Sequence, residues 1–236
     1  MEIILTFAWY YFIRILYYSC ILMYIYMKQV IDLDLWKRKE HYLFFKNHQE
    51  PFFSLTAHVD CTQAYTYTKE KNLSFFLHYM YQSLRTVNAI EEFKYRIEGE
   101  KVVCYDRIHA STTALNANGL FAFAFMPYVD SFEEFYTLAK KELALVKSIT
   151  TMNVCEDSGR PDVIHYTTIP WVSFTSLTHE RNFSRPDSIP KISFGKYFKE
   201  GERLLLPVSV KGHHGLMDGF HVGRYFELFQ ELLNGK

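Results

Sequence analysis

The sequence shows no excess of either charge. Among its 236 residues, 26 lysines and arginines balance 26 aspartates and glutamates, and no long run of one sign is present. Proteins that bind nucleic acid usually carry a basic surplus or a basic stripe. Nucleic acid is therefore not an expected partner.

Closely spaced cysteines are also missing. The four cysteines, Cys20, Cys61, Cys104 and Cys155, lie far apart and form no CxxC pair. Zinc knuckles and disulfide frameworks both depend on regular cysteine spacing, so neither is predicted. The reducing cytoplasm is the expected compartment.

No linker rich in proline, glycine or serine and no internal repeat divides the chain. Hydrophobic residues make up 49% of the sequence and aromatic residues 18%, which is enough for a sizeable core. We predict one α+β domain over residues 28–236, with a mixed or largely antiparallel sheet and helices packed on it.

One long hydrophobic run stands at the N-terminus, over residues 3–26, and Arg14 interrupts it. Its length would allow a membrane span, but a central arginine is costly there and its six tyrosines prefer the membrane interface. A signal peptide fits poorly because the preceding flank is acidic and no small-residue cleavage site follows. We interpret residues 1–27 as an extension outside the domain. Met27 is the favoured natural start, and the alternative is a genuine anchor, which alone would make a membrane a partner.

Hydrophobic periodicity and turn residues predict the elements of the domain. Helices are predicted over residues 34–48, 74–90 and 131–148 and from Asp218 to before Asn234. Strands are predicted over residues 52–60, 112–115, 120–125, 163–168, 171–177, 191–198 and 203–210. Hairpin turns are predicted at residues 98–101 and 199–202, and polar loops after residue 60 and over 151–161. Asp32 or Asp34 is the expected cap of the first helix, and Asp218 that of the last.

The residues best suited to chemistry lie in Lys211–Gly219, KGHHGLMDG, between a buried strand and the final helix. One interpretation makes a histidine a general base and Asp218 its organiser. A second makes His213, His214, Asp218 and His221 a metal site, although these residues straddle a strand end, a turn and a helix start, whereas ligands must converge. In the third, Asp218 only caps the helix and the histidines are polar turn residues. The residues alone leave catalysis and the structural role nearly equal.

HHGLMDG matches the HHxxxDG pattern of the coenzyme A-dependent acyltransferase superfamily, and the chain resembles the chloramphenicol acetyltransferases within it. Three further segments follow that family's pattern in its order and near its spacing: WKRKEHYLFF (residues 36–45), PWVSFTS (170–176) and GKYFKEGERLLLPVSV (195–210). The resemblance covers about residues 31–233. It implies a two-layer α/β sandwich with a mixed sheet, assembled as a homotrimer with active sites between neighbouring subunits.

The resemblance also implies roles for individual residues. His214 would be the general base, its ring held by a bond to its own backbone oxygen. It would take a proton from a substrate hydroxyl that attacks an acetyl thioester, and no acyl-enzyme would form. Asp218 would pair with Arg38 and fix the loop that carries His214. Thr167 would donate to the oxyanion where the family has serine, and Ser193 would do so through water where the family has threonine.

The implied cosubstrate is acetyl-CoA, with no metal. Trp171 and Tyr197 align with residues that contact coenzyme A, although buried aromatic residues of this kind could equally belong to the core. The implied acceptor is chloramphenicol, whose acetylation confers antibiotic resistance. Acceptor-binding positions fall on Phe44, Phe45, Thr113 and Phe121, with Phe123 as an alternative to Phe121.

The acceptor segment departs from the family's pattern. Phe45 stands where tyrosine is usual, Gln49 and Pro51 replace an apolar residue and a cysteine, and Ser111 replaces a glutamine. We therefore predict an acetyl-CoA-dependent chloramphenicol O-acetyltransferase. The same chemistry on another alcohol is the main alternative, and a non-catalytic ligand-binding homologue is the less favoured one.

Overall fold

The computed structural model describes residues 28–154, 159–180, 182 and 187–235, so the predicted extension at residues 1–27 lies outside the described residues. Within the described ranges the chain forms ten strands, five α-helices and one 3-10 helix, Glu91–Lys94. The strands are β1 (Lys28–Val30), β2 (Phe52–Asp60), β3 (Tyr95–Glu98), β4 (Lys101–Tyr105), β5 (His109–Leu115), β6 (Phe121–Met126), β7 (Val163–Thr168), β8 (Lys191–Phe194), β9 (Phe198–Glu200) and β10 (Arg203–His213). The helices are α1 (Lys39–Phe45), α2 (Thr62–Glu70), α3 (Phe75–Ala89), α4 (Phe132–Ser148) and α5 (Gly219–Leu233).

The main sheet has seven strands in the order β2-β10-β8-β7-β5-β6, with β9 paired to β10, and a smaller sheet has the order β1-β4-β3. Strand β7 runs parallel to both β5 and β8, and the other pairs are antiparallel. The predicted fold class, a mixed and largely antiparallel sheet with packed helices, is confirmed.

The two faces of the main sheet differ in chemistry because successive residues of a strand point to opposite sides. On one face, Ile164 and Tyr166 of β7 and Phe194 of β8 are buried in the core together with Tyr225 and Phe229 of α5. On the other face, β7 carries His165 and Thr167, and β8 carries Lys191 and Ser193. The apolar face holds the helices, and the polar face carries the candidate site.

Local signals predicted many elements well. Strand β2 has the predicted bounds, and both hairpins are present. Helices α3, α4 and α5 differ from prediction by about a residue at each end, and their caps Ser74, Ser131 and Asp218 each accept a backbone hydrogen bond.

Four predictions need correction. The first helix is only Lys39–Phe45, and its N-cap is Arg38; Asp32 instead accepts a hydrogen bond from Asp34 N in a local turn. Helix α2 occupies part of the segment expected to be a polar loop. The predicted strand over residues 171–177 is not a strand, because the chain leaves the sheet after Thr168.

The fourth correction concerns residues 191–198, which form β8 and β9 with a break between them. Gly195 N donates to Pro207 O at this break. A Cβ atom at Gly195 would lie 3.1 Å from both the Phe174 ring and the Cβ atom of Pro207. The close approach of these neighbours therefore favours glycine at the point where the strand is interrupted.

Candidate active site

The turn between β10 and α5 presents His214 at the edge of the main sheet. His214 N donates to Pro51 O, 2.8 Å away, so the turn is tied to the start of β2. Asp218 caps α5, accepting a hydrogen bond from Phe220 N, and His221 Nδ1 accepts one from Asp218 N. This reciprocal capping box fixes where the helix begins, and with it the span of the turn.

Arg38 holds the same turn from the other end of the domain. Its guanidinium donates to Asp218 Oδ2 at 2.7 Å and to the carbonyl oxygen of His214 at 3.2 Å. Partial burial opposes ionisation of Asp218, but the Arg38 hydrogen bond, the charge of Arg38 and the hydrogen bond from Phe220 N outweigh it. The pKa of the Asp218 carboxyl is therefore lowered. The structure thus brings together the pair that the resemblance implied.

Two phenylalanines hold the His214 ring. Phe45 stacks on it with ring centroids 4.4 Å apart and an interplanar angle of 7°, and Phe53 contacts it at 4.7 Å. The Nδ1 atom is buried without a hydrogen-bond partner in the described part of the chain. The implied bond from this nitrogen to its own carbonyl oxygen is not formed, and that oxygen accepts a hydrogen bond from Arg38. Aromatic packing therefore sets the orientation of the ring.

His213 and His221 have structural environments. His213 is buried, and its Nδ1 accepts a hydrogen bond from Gly215 N. His221 turns away to Glu92, 3.2 Å from its Nε2, while its Nδ1 serves the α5 cap. These contacts direct the histidines of the motif to different partners rather than to one centre. Across the described ranges, no group of three or more histidine, cysteine, aspartate or glutamate side chains is arranged to hold a metal.

A second group of predicted residues surrounds a cavity of about 730 Å³ on the polar face of the sheet. One wall is apolar and includes Leu115, Phe121, Phe123, Trp171 and Leu177. A polar wall is formed by Thr113, His165, Thr167, His179 and Lys191. The lining suits a small molecule that carries both apolar and polar groups.

Two basic residues of the polar wall add no net positive charge. Lys191 Nζ forms an ion pair with Asp187 at 2.6 Å. Burial, reinforced by the charge of Lys191, lowers the pKa of His165 to about 4, so its imidazole is uncharged at neutral pH. The acidic residue Glu180 also lines the cavity.

Ser193 lies level with the cavity but does not line it. It pairs in register with Thr167 on β7 and with Ser209 on β10. Its side chain is completely buried, and its hydroxyl is hydrogen-bonded to Nε2 of His179, 3.0 Å away. Sequence reasoning missed His179 because it lies in an irregular polar segment where no periodicity indicates what it faces.

The predicted coenzyme A residues are exposed, not core residues. The exposed fraction of Trp171 is 67% and that of Tyr197 is 38%, so the alternative that they belong to the core is wrong. Tyr197 lines a second cavity of about 480 Å³ together with Phe75 and Phe76. The two cavities share residues 168 and 170, so they adjoin.

The two groups of site residues are separated within one chain. Ser193 pairs in register with Thr167 on one side and with Ser209 on the other. Ser209 lies on β10, five positions before His214. Five residues of strand span about 16 Å. The candidate base and the candidate oxyanion donor therefore do not meet within one chain. Phe44 and Phe45 belong to the His214 group, whereas Thr113, Phe121 and Trp171 belong to the cavity.

Solved structures first define the class of fold. The chain superposes on the cubic core of the pyruvate dehydrogenase multienzyme complex with a TM-score of 0.62, 14% identity and coverage of 78% of this chain and 82% of that chain. It superposes on the dihydrolipoamide acetyltransferase of Azotobacter vinelandii with a TM-score of 0.63, 16% identity and coverage of 83% and 86%. At these identities the likeness shows the fold alone, which is that of the acyltransferase cores.

The particular family follows from closer matches. The family model "Chloramphenicol acetyltransferase" matches residues 26–230. A solved chloramphenicol acetyltransferase superposes with a TM-score of 0.82 and 33% identity, covering 88% of this chain and 100% of that chain. Chloramphenicol acetyltransferase 3 of Escherichia coli is 29% identical over 207 residues, 87% of this chain and 96% of the relative. The relative from Clostridium perfringens is 29% identical, with coverage of 86% and 93%. The chain belongs to the chloramphenicol acetyltransferase family.

The predictions of family, fold class and enzyme class are confirmed by these matches. The chain is an enzyme of the chloramphenicol O-acetyltransferase family, and its relatives over most of its length support that activity.

Proposed function

We propose that this protein transfers the acetyl group of acetyl-CoA to a hydroxyl of chloramphenicol, with His214 as general base. The observation that carries the proposal is the fixing of the His214 turn by the Arg38–Asp218 pair, with the ring clamped by Phe45 and Phe53. A base held by so many contacts from separate segments is suited to positioned proton transfer. The family match supplies the substrate class.

In the proposed reaction, Nε2 of His214 takes the proton of the acceptor hydroxyl as its oxygen attacks the thioester carbonyl carbon. The carbonyl electron pair moves onto oxygen and forms a tetrahedral oxyanion. When the carbonyl reforms, the carbon–sulfur bond breaks and the leaving thiolate takes the proton back from the imidazolium. General-base assistance of this kind contributes about 10²–10⁴ in rate.

Thr167 is the proposed oxyanion donor. It lines the cavity on the polar face, in register with Ser193. One well-placed donor contributes about 10²–10³ in rate when it faces the position where the negative charge develops. Ser193, the second proposed hydroxyl, is buried behind His179 and would act less directly.

We propose a homotrimer whose active sites form between subunits. In support, His214 lies about 16 Å along the strand from the level of Thr167 in one chain. A neighbouring copy would bring its own His214 to the cavity of the first. Closed symmetry of this kind repeats one heterologous contact three times.

The second cavity, which Tyr197 lines, is the proposed site of the acetyl-CoA arm, and Trp171, which lines the adjoining first cavity, is the other proposed contact. Its support is that this cavity adjoins the first at residues 168 and 170, so a thioester could reach the acceptor from that side.

Residues 28–236 are the proposed catalytic domain, and a chain that begins at Met27 should have unaltered acetyl transfer. No described helix meets the length and hydropathy needed to cross a membrane. We also propose that the protein is cytoplasmic and that nucleic acid is not a partner.

The test is thiol release from acetyl-CoA in the presence of chloramphenicol and of a panel of other alcohols, with wild type and His214→Ala compared as folded oligomers. Turnover of chloramphenicol by wild type alone supports the proposal. Turnover of another alcohol but not of chloramphenicol would favour the alternative acceptor that Phe45, Gln49 and Pro51 motivate. A wild-type protein that binds chloramphenicol and turns over no alcohol would be a non-catalytic homologue.

A further inference from the structure

His179 joins the cavity to a buried hydroxyl. Its ring lines the polar wall, and its Nε2 lies 3.0 Å from Oγ of Ser193. Ser193 is 0% exposed, and its hydroxyl is linked to the cavity lining by this hydrogen bond to the imidazole. Because Ser193 belongs to the rigid strand β8, the bond fixes a ring that otherwise lies on an irregular segment.

No described residue forms a hydrogen bond with the other ring nitrogen of His179. In the part of the chain that the structure describes, the bond to Ser193 is the hydrogen bond that His179 makes. Burial and the charge of nearby Lys191 lower the pKa of His179, so the imidazole is neutral at neutral pH. A neutral imidazole has one donor and one acceptor, and with Nε2 engaged by serine, Nδ1 remains for a ligand.

His179 shares its cavity with a residue of the proposed chemical step. Thr167, which is in register with Ser193, lines the same cavity, and the lining also includes the apolar side chains of Phe121 and Leu177. A ligand that places its reacting hydroxyl near Thr167 therefore has other parts of its body within reach of His179. A site that hydrogen-bonds one substrate group discriminates strongly against analogues that lack it.

We propose that His179, held by Ser193, is an acceptor-binding residue that selects alcohols carrying a second hydrogen-bonding group beside the hydroxyl that is acetylated. The inference rests on the proposed acetyl transfer and deepens it. It gives Ser193 a positioning role that acts through His179.

The experiment measures KM and kcat of His179→Leu, His179→Gln and wild type with two acceptors: chloramphenicol and its analogue with the second hydroxyl replaced by hydrogen. His179→Leu should raise KM for chloramphenicol about five- to tenfold, the effect of one hydrogen bond, and change kcat less than twofold. For the analogue, KM should differ less than twofold between the variants. His179→Gln keeps a hydrogen-bonding amide near the Nε2 position that faces Ser193 but none near Nδ1, so it should retain the raised KM.

Ser193→Ala tests the positioning role. It should raise KM for chloramphenicol by a smaller factor than His179→Leu, and the double variant should match His179→Leu alone, because residues that act through each other are not additive. The control is His58→Leu, an exposed histidine on β2 that contacts Phe198. It should leave KM unchanged.

Equal KM increases for both acceptors, a loss confined to kcat, or unchanged KM in a folded His179→Leu protein would each overturn the inference. If wild type acetylates another alcohol instead, the same comparison uses that alcohol and its analogue without the second polar group. If it acetylates none, the proposed function fails. Calorimetry of chloramphenicol binding then tests whether His179 contributes to acceptor binding. Binding at least fivefold weaker in His179→Leu then supports the inference, and equal or undetectable binding overturns it.

Discussion

The guanidinium of Arg38 and the carboxylate of Asp218, 180 residues apart in sequence, lie 2.7 Å from each other. The Arg38 side chain is 12% exposed and that of Asp218 31%, so solvent only partly screens the contact. Because Arg38 also donates to the carbonyl oxygen of His214, the pair joins the start of the domain to the turn that carries the candidate base.

Asp218→Asn should separate the ion pair from the helix cap. Asparagine caps helices as well as aspartate, so the variant keeps the bond from Phe220 N and loses the charge that Arg38 requires. We expect a loss of about 1.5–3 kcal/mol in the free energy of unfolding. We also expect a fall of about 10² in kcat from displacement of the turn. Asp218→Ala should cost about 1 kcal/mol more. Urea unfolding measures the change in stability, and thiol release measures the change in kcat. An unchanged kcat in Asp218→Asn would contradict the proposed role of the ion pair in positioning the turn.

The same pair has a defined pH dependence. The pKa of Asp218 is lowered in the folded state, so its contribution to stability is fully present above the unfolded value of about 3.9. It is lost as pH falls through the lower folded pKa. The stability difference between wild type and Asp218→Asn should therefore be constant near neutral pH and shrink in acid. A difference that grows on acidification would be inconsistent with this sign.

Neighbouring phenylalanines should have different kinetic effects. Phe45 stacks on His214, whereas Phe44 is 66% exposed and contacts Phe45 and His48. Phe45→Ala should lower kcat up to about tenfold, because a stacked aromatic pair contributes about 0.5–1.5 kcal/mol. Phe44→Ala, the matched variant, should mainly raise KM for the acceptor. Equal effects of both changes on kcat would argue against a specific role of the stack.

Mixed oligomers test the division of the site between subunits. His214→Ala and Thr167→Ala should each lower activity strongly when assembled alone. Unfolding and refolding an equal mixture should regenerate about a quarter of the sites, those that combine an intact His214 with an intact Thr167 of a neighbour. The control is the same mixture without refolding, which should stay at the background rate. A mixture that never exceeds that rate would place both residues in one subunit's site.

His78 should make the fold sensitive to acid. It is buried on α3, its ring contacts Tyr67 and Phe132, and its Nδ1 has no hydrogen-bond partner among the described residues. Burial lowers its pKa from 6.5 to about 4. The unfolded chain therefore binds a proton that the folded chain refuses, and stability falls as pH drops from about 6.5 to about 4.

His78→Phe removes this titration. Its stability relative to wild type should be greater at pH 5 than at pH 8, as measured by urea unfolding at each pH. His41→Gln, on the exposed surface of α1, is the control and should leave the pH profile unaltered. A parallel displacement of the His78→Phe profile at all pH values would indicate a packing effect alone.

Much of the fold follows from neighbouring residues in the sequence. The serine caps at Ser74 and Ser131 and the alternation in β2 act over a few positions, so the helices and strands they define were predicted closely. Helix α2 was missed because its sequence, TQAYTYTKE, has a weak apolar period. It is tied instead to its surroundings by bonds from Thr62 to Asp60 and from Leu204 N to Thr62.

The candidate site also has one part that the sequence predicts and another that depends on long-range contacts. The turn with His214 and Asp218 could be read from the sequence alone, and the resemblance to a family implied that Asp218 pairs with Arg38. The burial of Ser193 behind His179 and the separation of Thr167 from His214 in one chain became apparent from the three-dimensional structure. The two parts differ in the sequence distance over which the determining interactions act. Caps and periodicity depend on residues a few positions apart, whereas strand register and burial depend on contacts summed over the whole sheet.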